Sequence, residues 1–193
     1  MNIVRDIIVI GAPVGGAAAL IEVVSALPPD LPASVLIVLH SNPEKPILLA
    51  DALSAPRRMR ASEAIDGEPL ERGRIYVAAD GKHLRVNDDL VRVKEDPPEN
   101  ECCPSIDVLF RSAAEAHEHR VVGVILLHAQ REGSLGLHAV RQHGGRTISH
   151  RNELMNEAPR HHETGETLAH HHLELAGIAP RIIDYVQGKN GAD

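Results

Sequence analysis

"DIIVIGAPVGGAAALIEVV", residues 6–24, reads as a buried strand, a glycine-rich turn and a helix in immediate succession. The run DIIVI (6–10) is continuously apolar, as expected of a strand covered on both faces. Residues 16–27 then place Leu20, Ile21, Val24 and Leu27 on a helical stripe, and PPDLP (28–32) stops the helix. The turn, GAPVGG (11–16), is not a P-loop, because no Gly-Lys-Ser/Thr follows, and it is not G-x-G-x-x-G. Glycines 11, 15 and 16 still allow tight packing and outward-facing amides at the helix start. Taken alone, the motif fits a dinucleotide turn or a purely structural one. Pro13, expected at the exposed crest, suits neither a phosphate site nor a nucleophile, since it has no hydroxyl and no N–H.

The same alternation continues outward. SVLIVL (34–39) is a second buried strand, and a loop at 40–45 leads to a helix in PILLADALSA, with Pro46 in its first turn. Residues 73–93 hold three strand-like runs broken by Asp-Gly and Asn-Asp-Asp, which predicts an antiparallel hairpin or meander. After a polar loop (94–104), SIDVLFRSAAEAH (105–117) predicts a helix with Ser105 as N-cap, Asp107 in the first turn and Ile106, Leu109, Phe110 and Ala113 on one face. RVVGVILL (120–127) is a third buried strand, 133–143 a helix ending at Gly144-Gly145, and RTIS (146–149) a fourth strand. The tail yields only a final helix near 179–188. The expected fold is α/β: a doubly wound, mainly parallel sheet with helices on both faces and an inserted antiparallel hairpin. With no internal repeat and no linker, residues 1–193 are expected to form a single domain.

Composition narrows the function. A net charge of −7 and three aromatic residues (Phe110, Tyr76 and Tyr185) argue against a nucleic-acid partner, which would call for a basic face and stacking rings. No apolar run approaches the ~20 residues of a membrane span, so no membrane insertion is expected. Arg5 and Asp6 interrupt the early apolar stretch, against a signal peptide. Adjacent Cys102 and Cys103 suit a reducing cytoplasm better than a structural bridge.

In open α/β sheets, ligands bind beyond the carboxyl ends of the strands. After the first strand comes GAPVGG, after the second His40, and after the third HAQREG with His128, Arg131 and Glu132. A turn, a histidine and a carboxylate are the parts of a nucleophile–His–acid triad lacking one member.

Five segments, in order, resemble the catalytic domain of CheB, the chemotaxis receptor methylesterase. VIGAPVGG (9–16) is similar to the family's strand and G-A-S-T-G-G, and VLIVLH (35–40) to its second strand ending in histidine. EAIDGEPLERGRIYVA (63–78) follows E-A-x-D-G-x-x-L-x-x-G-x-x-Y-x-A, and PSIDVLFRSAA (104–114) follows P-S-V-D-V-L-F-R-S-A-A. GVILLHAQREGS (123–134) takes the place of G-V-x-L-T-G-M-G-x-D-G-A. The resemblance runs over roughly residues 6 to 185 and implies a domain that hydrolyses receptor glutamate methyl esters and deamidates glutamine. It also implies that the catalytic positions are Pro13, where the family has its serine nucleophile, His40 as general base and Glu132 in place of the orienting aspartate.

The departures cluster at that site. Proline supplies no nucleophile, and glutamate adds a methylene that moves the charge by about an ångström. The family's threonine is Val14, its T-G-M-G loop is Leu127, His128, Ala129 and Gln130, and its usual histidine and arginine before P-S-V-D are Cys102 and Cys103. The expectation is an impaired or inactive esterase serving as a binding or regulatory module, with no cofactor and no assigned metal. Its expected partners are chemoreceptor cytoplasmic helices or a chemosensory regulatory protein; the oligomeric state is left open. The family usually carries a receiver domain; none is expected in these residues, and control, if any, is expected from a separate partner or another route. Two alternatives stand beside this reading: hydrolysis through another nucleophile, with Cys102, Cys103, Ser41 and Ser134 considered, and a metal-binding module in the histidine-rich segment 161–172 (His161, His162, His170, His171, His172). The spacing there is not H-E-x-x-H. His128 is expected to pair with Glu132 or to fill space left by a glycine, and His83 to be structural.

Overall fold

The computed structural model describes residues 4–40, 49–54, 58–99, 102–127, 132–151, 157–160 and 166–189. The opening stretch folds as read: β1 (Ile7–Ala12) is buried at every residue and turns into α1 (Ala17–Ser25). The chain continues through β2 (Ser34–Leu39), α2 (Leu49–Leu53), β3 (Arg60–Glu63), β4 (Arg74–Val77), β5 (His83–Asn87), β6 (Leu90–Lys94) and α3 (Ile106–His117). It ends with β7 (Val121–Ile125), α4 (Ser134–Gln142), β8 (Arg146–His150), β9 (His171–Leu173) and α5 (Leu175–Val186).

Seven strands pair in the order β3-β4-β2-β1-β7-β8-β9, every neighbouring pair parallel, and β5 and β6 form a separate antiparallel hairpin. Strand alternation divides the core in two. Ile8, Ile10 and Ala12 pack with Leu20 of α1, Leu53 of α2 and Ile182 of α5 on one face. Ile7 and Val9 pack with Leu109 and Phe110 of α3 and Val140 of α4 on the other. At the amino edge, Asp6 accepts hydrogen bonds from Arg120 (2.8 and 3.0 Å) and Arg72 (2.6 Å). Burial alone would raise this carboxyl, but the two guanidiniums outweigh it and hold it below its ordinary value.

Three details correct the sequence reading. The run predicted as one antiparallel unit is divided: Arg74–Val77 joins the parallel sheet, and only β5 and β6 make the hairpin. Ile75, Tyr76 and Val77 are all buried, the mark of a strand covered on both faces. Edge strands β3 and β9 were not anticipated, because RASE and HHL are short, polar and only partly buried. The final helix starts at Leu175, ahead of Pro180, which sits inside it.

Candidate functional site

The chain runs from β1 to β2 and onward to one edge, then returns to place β7 on the other side of β1. The connection after β1 enters α1 on one face, and the connection after β7 enters α4 on the opposite face. This reversal opens a crevice at the carboxyl ends of β1 and β7, the usual ligand position in such sheets.

Residues at that edge are aligned by register. Ala12 pairs with Leu39, so the next residues are Pro13 and His40, both on the α3 side by alternation. His40 N donates to Ala12 O at 3.0 Å, carrying the pairing to the strand ends. Pro13 opens a tight turn in which Gly16 N donates to Pro13 O at 2.9 Å and Gly15 takes φ +90°, a conformation that favours glycine. The exposed crest is therefore Val14, 63% accessible, while Pro13 is half-buried one residue before it. Gly11 allows α3 to begin directly over β1, since a Cβ there would lie 2.4 Å from Ile106 Cγ2.

Glu132 precedes Gly133, the left-handed N-cap of α4, and its carboxylate turns back into the crevice. Oε1 meets His40 Nε2 at 2.8 Å and accepts from Ile106 N at 3.3 Å, while Oε2 accepts from Cys102 Sγ at 3.4 Å. His40 Nε2 also faces the Pro104 carbonyl at 3.0 Å. Two acceptors around one nitrogen require Nε2 to carry the proton. Burial would push the imidazole down, but the hydrogen bond and charge of Glu132, aided by the Pro104 carbonyl, outweigh it and hold His40 above its ordinary 6.5. Despite its extra methylene, Glu132 reaches the His40 imidazole.

The sequence residues His40 and Glu132 therefore converge, and Pro13 lies beside them in register. The resemblance puts the loop of Cys102 near this cleft; what sequence reasoning missed is its contact with the carboxylate of Glu132. The signal was its position where the family has a histidine. His128 and Ser41 lie outside the described residues. Ser134 starts α4 as expected, and neither cysteine forms a disulfide. Burial, then Asp96, pushes the Cys103 thiol up, away from the thiolate that a nucleophile needs.

Where they are described, the other histidines of interest contact neighbouring elements of the fold. His83 accepts from Ser105 N at 3.3 Å and reaches the Pro97 carbonyl at 3.1 Å, tying the hairpin to the start of α3. His170 meets Thr147 Oγ1 at 2.7 Å, His172 meets Ser149 Oγ at 2.8 Å, and His171 lies against Tyr185. His161 and His162 lie outside the described residues.

Residues 8–182 match the family described as CheB methylesterase. The chain belongs to this family. It is 37% identical over 144 residues to a protein-glutamate methylesterase/protein-glutamine glutaminase of Anaeromyxobacter dehalogenans, covering 75% of this chain and 42% of that protein. A protein of the same description from Desulfotalea psychrophila is 33% identical over 149 residues, covering 74% and 41%. This chain thus spans about two fifths of the length of these curated relatives. The crystal structure of the Thermotoga maritima CheB methylesterase catalytic domain superposes with a TM-score of 0.78 at 24% identity, covering 94% of this chain and 99% of that one, a likeness of fold.

A titration tests the Glu132 contact. A histidine raised by folding contributes stability that is full below 6.5 and lost as pH rises through its folded pKa. Glu132→Gln keeps the shape and removes the charge, leaving burial to dominate. The His40 ring resonances in NMR are expected to titrate above 6.5 in the parent and below the parent value in the variant. Identical titrations would show that Glu132 does not set the histidine.

Proposed function

We propose that this chain is a CheB-type domain whose ester hydrolysis and deamidation are impaired or lost, and that it acts as a binding or regulatory module in chemosensory signalling. The observation that carries this reading is Pro13 in register beside His40, where a nucleophile would stand. The imidazole and its carboxylate are joined at 2.8 Å, so the base has its orienting partner but no hydroxyl at residue 13 to deprotonate. Deleting the serine of a comparable triad costs on the order of 10⁶-fold in turnover. The buried packing beneath the site is continuous on both faces of the sheet, so the scaffold under the site is intact although the nucleophile is missing. Its partners are chemoreceptor cytoplasmic helices or a regulatory protein of the same pathway, in the cytoplasm.

The test pairs chemistry with binding. A methylated chemoreceptor cytoplasmic fragment is expected to release no methanol with this protein above the level of its His40→Ala variant, while binding it measurably by calorimetry. Turnover that disappears with His40→Ala would overturn the proposal, because it would reveal another nucleophile served by the same base.

A further inference from the structure

His40, Cys102 and Glu132 come from three separate connections: the end of β2, the loop before α3 and the loop before α4. Their nitrogen, sulfur and oxygen ligand atoms all lie within 4.8 Å of one another, and they are the group of this kind among the described residues. We propose that these three side chains form a zinc-binding site in the crevice. None of the three ligands is the residue at position 13, but zinc on His40 and Glu132 would occupy the base and its carboxylate, so the site is tested by metal binding and not by turnover.

The donor set selects the ion. Imidazole, thiolate and carboxylate together are the ligands of zinc, whereas calcium and magnesium take oxygen alone and a copper(I) site favours sulfur. Three protein ligands with a fourth position left to water or substrate is the pattern of an open zinc site. The charges also match: one thiolate, one carboxylate and a neutral imidazole balance a dication.

Geometry requires little movement. Zinc bonds of ~2.0 Å to nitrogen and oxygen and ~2.3 Å to sulfur place ligand atoms roughly 3.3–3.6 Å apart in a tetrahedron. The carboxylate already faces both partners, one oxygen to each: His40 Nε2 is 2.8 Å from Glu132 Oε1, and Cys102 Sγ is 3.4 Å from Glu132 Oε2. Side-chain rotation within the 4.8 Å that already encloses the three ligand atoms would set the tetrahedral separations. Zinc would take the place of the hydrogens in these contacts. The Cys102 proton leaves to solvent, and the His40 proton moves from Nε2 to Nδ1, freeing Nε2 as a ligand.

The supporting shell is built as well. Ile106 N donates to Glu132 Oε1 and orients the carboxylate. Cys102 is fixed by reciprocal backbone hydrogen bonds with Glu99, at 3.0 and 3.1 Å. Glu99 in turn is gripped by both ends of the Arg111 guanidinium on α3, at 3.1 and 2.7 Å. The thiol is therefore presented by an anchored loop.

Cobalt titration of the full chain, stripped with chelator and kept reduced, reads the site directly. The expected result is one equivalent of Co²⁺ bound with a thiolate-to-cobalt charge-transfer band and tetrahedral visible bands, all abolished by equimolar Zn²⁺. Cys102→Ser is expected to remove the charge-transfer band and weaken zinc by a hundredfold or more, given that outer-shell partners alone are worth ~10–100-fold. Glu132→Gln should weaken zinc to a similar degree, and Cys103→Ser should change neither band nor affinity. Matching thermal midpoints of the metal-free variants establish that each is folded. Absence of the charge-transfer band would overturn the proposal. So would its persistence in Cys102→Ser, or its loss in Cys103→Ser alone. Zinc held without any thiolate band would place the ion on histidines elsewhere and would equally refute this site.

Discussion

Pro13→Ser is expected to raise methanol release from methylated receptor fragments on the order of 10³-fold over the parent. A histidine and a carboxylate already stand beside position 13. Position 13 follows Ala12, whose register partner Leu39 precedes His40, so the new hydroxyl enters beside the imidazole. Glu132 already contacts the ring at 2.8 Å. With Nε2–H facing the carboxylate, the nitrogen left to act as base is Nδ1. The serine oxygen would attack the ester carbonyl as the imidazole takes its proton, methanol would leave with that proton, and water would release the acyl group.

The gain is expected to fall short of the ~10⁶-fold that a whole triad member is worth, because the family's glycine loop is rewritten as Leu127, His128, Ala129 and Gln130 and donors to the oxyanion would differ. Pro13→Ser combined with His40→Ala should return to the parent level. Assays are run with chelator, so that zinc at His40 does not mask the base. A Pro13→Ser protein that binds the fragment but releases no methanol would show that the crevice lost more than its nucleophile, and the impaired-esterase reading would give way to that of a domain rebuilt for binding alone.

How much of this was readable in advance depended on burial. Strands covered on both faces, such as Ile7–Ala12 and Ser34–Leu39, announce themselves as unbroken apolar runs, and their order with the helices implies a parallel sheet. Edge strands have one neighbour and one wet side, so Arg60–Glu63 and His171–Leu173 carry little apolar signal. Arg74–Val77 was legible as a strand but not in its partner, since pairing depends on contacts with Ser34–Ile37 far away in the chain. The same limit applied to the site. His40 and Glu132 could be placed because each follows a buried strand at the rim. Cys102 follows no strand of the sheet; it reaches Glu132 through a loop held by Glu99 and Arg111, an arrangement that exists only once α3 is packed.

Phe110→Ala is expected to destabilise the protein by about 3–5 kcal/mol, a large share of the ~5–15 kcal/mol typical of a domain. Phe110 is the chain's one phenylalanine and is fully buried on the α3 face of the sheet. Two glycines make room for it. A Cβ at Gly136 of α4 would lie 2.6 Å from Phe110 Cβ, and one at Gly123 of β7 would lie 3.4 Å from the ring. Removing the ring leaves a cavity between α3, α4 and the sheet, and the backbone on both sides is too constrained by its own pairing to collapse into it. Thermal and urea unfolding measure the loss. The same cavity should loosen the start of α3, where Ile106 N holds the Glu132 carboxylate, so the His40 pKa is expected to move toward its ordinary value in the variant. Geometry also predicts the sign of a partner change. Gly123→Ala, whose methyl would lie 3.4 Å from both the Phe110 ring and Val140, is expected to be near neutral in the parent and to recover part of the loss in the Phe110→Ala background, where the methyl occupies vacated space. Additive losses in that double-mutant cycle would mean that the ring does not fill the space above β7, and with it would fall the account of how α3 is seated over the site.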